Sequence, residues 1–111
     1  MMEKQTYTPD DYVIKKGDFT RRYIKAGESF PARTPLMPDE TDKTLLVKWD
    51  GSVGTAVSLS VCLADSPAGN ELKAVIVSGK YRISEINWPD NLTDMEKRAA
   101  FQGTAISVDD E

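Results

Sequence analysis

The chain has 111 residues, a net charge of −4, no histidine and a single cysteine, Cys62. That length supports one domain with a modest core, and a lone thiol forms no internal bridge, as expected of a chain made in a reducing cytosol. Without histidine the usual general base and the commonest metal ligand are missing, one thiol excludes Cys₄ and Cys₂His₂ zinc sites, and no apolar run reaches the ~18–20 residues of a membrane span.

Taken in order, residues 1–11 have almost no apolar content and read as a flexible leader with no secretory signal. Tyr12-Val13-Ile14 is a short apolar run, Gly17-Asp18 a turn, and Phe19–Lys25 a stretch of strand propensity. This front part fits either an edge hairpin covering the body or an arm that pairs with another chain. Pro31, Pro35 and Pro38 predict an irregular extended connection over Phe30–Pro38, because each proline lacks an N–H and restricts the residue before it.

The sheet is expected to centre on Leu45–Lys48, ending at Trp49 and an Asp50-Gly51 turn, and on the strand after it. That strand alternates strictly, with Val57, Leu59, Val61 and Leu63 on one face and Ser58, Ser60 and Cys62 on the other. Such a period of two predicts one apolar face. Leu72–Val77 is a further strand, Ser78-Gly79 a hairpin turn and Lys80–Ile86 the return run. A helix is predicted over Asp94–Phe101, with Thr93 and Glu96 as a capping box, Gly103 as the C-terminal cap, and Met95, Ala99 and Leu92 facing the sheet. Thr104–Val108 is the last strand, followed by an acidic tail. The fold class is α+β: a small β-rich single domain with one short helix near the C-terminus and an extended N-terminal arm.

Several words stand in order: Ala32–Met37, Leu46–Gly51, Ala56-Val57 through Ala64-Asp65, Ser78–Arg82, Trp88-Pro89 and Ala100–Ser107. In this ordered set, over roughly Pro31 to Val108, the sequence resembles the head decoration proteins of lambda-like phages, the protein D family. The resemblance implies a non-enzymatic virion protein without cofactor or bound metal. It implies a homotrimer on the outer surface of the expanded head, made in the host cytoplasm, whose partner is the major capsid protein. It further implies an N-terminal arm that adds a strand to the coat, through main-chain hydrogen bonds. On that basis residues 1–30 are expected to be a capsid-binding arm and residues 31–111 the decoration domain.

Here the front segment departs from the family pattern, being more basic and more strand-prone. Residues 1–33 carry +2 against −6 for residues 34–111. The capsid-contact residues are therefore assigned on chemistry: Tyr12, Val13, Ile14, Phe19, Arg21, Tyr23 and Ile24. The alternative is a small β-rich module for single-stranded nucleic acid, with Phe19 and Tyr23 as stacking platforms. An acidic body disfavours it, since phosphate binding needs concentrated positive charge. Trp49 and Trp88 are expected to be core aromatics and Cys62 a small buried or inter-subunit side chain. The acidic clusters Asp10-Asp11 and Asp109-Asp110-Glu111 lack the turn-forming Gly and ligand spacing of a calcium loop and read as solvated.

Overall fold

The computed structural model describes residues 12–110. Strand β1 spans Val13–Lys15, β2 Phe19–Ile24, β3 Ser29–Phe30, β4 Pro35–Pro38 and β5 Leu45–Lys48. Strand β6 spans Ser58–Ser60, β7 Ala64–Asp65, β8 Glu71–Ile76, β9 Ser78–Arg82 and β10 Ala105–Asp109. A single turn of 3₁₀ helix, Ile83–Glu85, and the five-residue helix α1, Asp94–Arg98, lie between β9 and β10. The described residues thus form a small β-rich domain with a lone short helix near its C-terminal end.

Five strands close into a barrel in the order β2-β5-β4-β6-β8, so every barrel strand is hydrogen-bonded on both sides. A second sheet, β1-β9-β10, lies beside it, and β3 and β7 form a two-stranded ladder. In the second sheet β9 and β10 run parallel, which requires a long crossover. The stretch holding the 3₁₀ turn and α1 provides it.

Two cores follow from this arrangement. Ile24, Leu36, Leu46 and Val75 come from four barrel strands, and Phe30 and Ala64 join them from the β3–β7 ladder. The other core gathers Leu59 and Ile76 from the barrel, Tyr81 and Ile106 from the second sheet, and Trp49, Ile86 and Phe101 from the connections. Neighbours in one strand point to opposite faces, so Val75 and Ile76 on β8 serve one core each.

This two-sided burial alters the reading of β6. Ser58 and Ser60 do not face water; they sit opposite Leu36 and Val75 and are as buried as Leu59 between them. The Ser60 hydroxyl accepts from the Thr34 amide at 2.8 Å, whereas the Ser58 hydroxyl is buried without a partner among the described residues. Beyond Ser60 the alternation stops mattering: Leu63 is exposed, and Cys62 is exposed too, so of its two expected places, buried or inter-subunit, the first does not hold.

The prolines also behave differently from the expectation. Pro35 and Pro38 bound a true barrel strand between β5 and β6. A proline cannot donate to a ladder, and here the bonds that need it run the other way: the Pro35 carbonyl accepts from the Trp49 amide at 2.9 Å. Ser78-Gly79 is no hairpin turn but the start of β9, and the chain passes from the barrel to the second sheet through Val77 alone.

The helix cap is present as read, with the Thr93 hydroxyl accepting from the Glu96 amide and the Glu96 carboxylate from the Thr93 amide. The helix is shorter than expected, ending at Arg98, and Met95 is 81% exposed and faces away from the sheet. Arg98 instead collects three carboxylates, Asp94 at 2.8 Å, Asp110 at 2.7 Å and Asp109 at 3.5 Å, so the acidic end is tied back to α1.

Residues 12–30, expected as part of an arm, supply β1, β2 and β3, and each is paired with a strand of the body. β1 runs antiparallel to β9, β2 lies between β8 and β5, and β3 pairs with β7. The remainder of the expected arm, residues 1–11, lies outside the described residues.

Candidate interaction surface

β1 carries a local irregularity that sets the geometry of this surface. Val13 pairs with Tyr81 and Lys15 with Lys80, so two steps on β1 oppose one on β9 and Ile14 is the extra residue of a bulge. Bulges bend a strand and re-aim its side chains. Tyr12, Val13, Ile14, Lys16, Phe19 and Tyr81 line one hollow of about 310 Å³. Four of the seven residues named from chemistry therefore meet around a single apolar depression.

Its floor is rigid. Tyr81 is buried, and its hydroxyl donates to the Ser78 carbonyl at 2.7 Å. Burial, the largest cause, raises the Tyr81 pKa above its ordinary value and keeps the phenol neutral. Tyr12 stacks on Tyr81 with ring centroids 5.7 Å apart, and the Arg33 guanidinium lies 5.8 Å from the Tyr12 ring centre. The Arg82 amide donates to the Tyr12 carbonyl at 2.7 Å, and its guanidinium to the Val13 carbonyl at 3.1 Å. These bonds pin the start of β1 on β9.

Around the hollow, β2 splits the remaining named residues by its alternation. Phe19, Arg21 and Tyr23 lie on the outer wall, with Phe19 49% and Tyr23 50% exposed. Tyr23 sits opposite Leu72, itself exposed, so an apolar pair stands on the barrel exterior. Ile24 points inward, 1% exposed, and belongs to the barrel core. The structure thus separates the seven residues into a hollow, an outer wall and one core position.

Both tryptophans are structural. Trp49 donates from Nε1 to the Ser52 carbonyl and the Thr55 hydroxyl, and meets Trp88 edge-on at 6.1 Å. Trp88 donates to the Ile83 carbonyl at 2.8 Å. What sequence reasoning missed is Tyr81, the floor of the hollow, and Leu72. The signal for Tyr81 was its place on the apolar side of Lys80–Ile86, but nothing in one strand reveals the partner that stacks on it.

Comparison with known proteins decides the family. Over 82 residues, 72% of each chain, the sequence is 46% identical to a protein of Escherichia phage N15 that bears the name "Putative decoration protein". It is also 38% identical, over 79 residues, to the "Head decoration protein" of Enterobacteria phage P21, covering 69% of this chain and 65% of that one. The chain belongs to the phage head decoration proteins. No protein-family model matches it. A head decoration protein is a structural component of the virion.

Proposed function

We propose that this decoration protein binds the outside of the expanded phage head as a homotrimer and stabilises it, acting through binding alone and without catalysis. Its place is the outer surface of the head, after synthesis in the host cytoplasm. The observation that carries the reading is the cluster of large apolar side chains left in water on one side of the molecule: Phe19 and Tyr23 on the barrel wall, beside the hollow lined by Tyr12, Val13 and Ile14. Apolar groups grouped on a surface favour a protein partner, and aromatic residues with arginine are enriched at such contacts. Arg21 stands between Phe19 and Tyr23 on the same face. Ile24 contributes from inside, holding β2 in the wall.

Strand addition to the coat is part of the proposal, with a specific donor. β2 is held in the barrel, paired with β8 along its whole length and with β5 over Tyr23 and Ile24. The strand that joins the coat is assigned to residues 1–11, which lie outside the described residues. To test the reading, the purified protein is mixed with expanded and unexpanded heads of its own phage and bound protein is measured after sedimentation. Expanded heads are expected to retain it, and equal absence from both sinks the proposal. The mass of the free particle in solution checks the trimer.

A further inference from the structure

The three-stranded sheet carries its charges in an unfavourable arrangement. Lys15 on β1 lies directly opposite Lys80 on β9, and Ser107 on β10 flanks Lys80 on the other side. Like charges opposite one another across a strand pair destabilise it. Neither lysine has an ion-pair partner among the described residues. Asp109, whose pKa is lowered first by the Asp110 amide, is lowered also by the charge of Lys80, which offsets part of that repulsion.

These residues belong to a groove of about 550 Å³ lined by Lys15, Lys16, Gly17, Gly79, Lys80 and Ser107. Lys16 also lines the apolar hollow, so the groove and the hollow adjoin. At the crossing of Gly17 and Ser78 the two backbones lie so close that a Cβ on Gly17 would overlap the Ser78 carbonyl. The lysines thus stand around a half-buried crossing of main chain, with the apolar hollow adjoining it.

We propose that the groove receives an acidic, extended segment of the coat protein, with carboxylates against Lys15, Lys16 and Lys80 and an apolar side chain in the hollow. This rests on the head-binding reading above and adds the chemistry of the partner. Charge complementarity identifies the occupant: a carboxylate placed among the lysines removes the repulsion that the free sheet retains. A polynucleotide fits less well. The positive patch is short, Asp18 also lines it, and the chain as a whole carries −4.

The experiment uses the full chain, first with a soluble probe and then with heads. The probe is a short peptide of Asp and Glu around one Phe, compared with its Asn/Gln counterpart and a thymidine oligonucleotide. Binding is followed by amide chemical shifts. The acidic peptide is expected to move the resonances of Lys15, Lys16 and Lys80, and to bind more weakly as salt is raised. Lys80→Glu is expected to weaken both peptide and head binding by about tenfold or more, while unfolding near the wild-type temperature. If that variant does not fold, Lys16→Gln, at an exposed position, gives the same comparison with a smaller loss.

Undiminished binding by the variants overturns the proposal, as does equal binding of the Asn/Gln peptide or no binding of the acidic one. Tighter binding of the oligonucleotide overturns it in favour of nucleic acid. Wild-type protein that ignores heads refutes the head-binding reading, and peptide binding without head binding overturns the coat assignment while leaving the groove as an acidic-peptide site.

Discussion

Two residues show how much of this fold hangs on single positions. Gly79 has φ +119°, and a Cβ there would lie 2.6 Å from the Tyr81 hydroxyl and 2.8 Å from the Lys15 carbonyl. Gly79→Ala is expected to cost about 2 kcal/mol or more, from backbone strain plus displacement of the hollow's floor. Gly54→Ala, with φ +78° but open space around it, is expected to cost only the strain. The difference between the two in urea unfolding reads the contact.

Asp39 holds the turn between β4 and β5 and ties it to the end of β2. Its carboxylate accepts from the Asp42 amide at 3.0 Å and the Thr41 amide at 3.2 Å, and meets Lys25 Nζ at 3.1 Å. The Asp42 amide is the largest cause lowering its pKa, followed by Lys25. A lowered carboxylate pKa gives stability that is present above the ordinary value of 3.8 and lost as pH falls through the folded value. Urea midpoints are therefore expected to drop below about pH 4. In Asp39→Asn the drop is expected to be smaller, with a remainder, because the Thr44 hydroxyl lowers Asp42 and the Ser52 amide lowers Asp50.

At the scale of elements, the barrel closes through β2. That strand meets β8 over six residue pairs but meets β5 over only two, Tyr23–Leu45 and Ile24–Leu46. Removing residues 1–29 deletes β1, β2 and half of β3, exposes the edges of β5 and β8, and takes Ile24 out of the core. The shortened chain is expected to lose cooperative unfolding in a thermal melt. Removing residues 1–11 alone is expected to leave a folded protein that binds heads less well. Unimpaired head stabilisation by that form would refute the role of the arm.

For the molecule as a whole, the two cores divide the work. The barrel core is sealed by main-chain bonds on every strand, and the second core fixes the β1-β9-β10 sheet against the barrel's outer side through Leu59, Ile76, Tyr81 and Ile106. Tyr23 on β2 and Lys80 on β9 each stand next to a buried residue, Ile24 and Tyr81. An interaction surface on such strands is positioned before its partner arrives, which limits the ordering cost of binding.

The sequence by itself determined the family, the β-rich class, the Thr93–Glu96 cap and most strand positions, because these depend on ordered words and on local chemistry. It also singled out Phe19, Arg21 and Tyr23, whose alternation along β2 the structure keeps. Only the tertiary structure decided that Ser58 and Ser60 are buried, that Pro35–Pro38 is a barrel strand, and that Met95 is left in water. It alone placed β1, β2 and β3 in the body and set Lys15 against Lys80. The reason is that a strand's period tells which side chains share a face, not what covers that face or which strand lies alongside. Those facts come from pairings between residues far apart in the chain, and barrel closure is the step that fixes them.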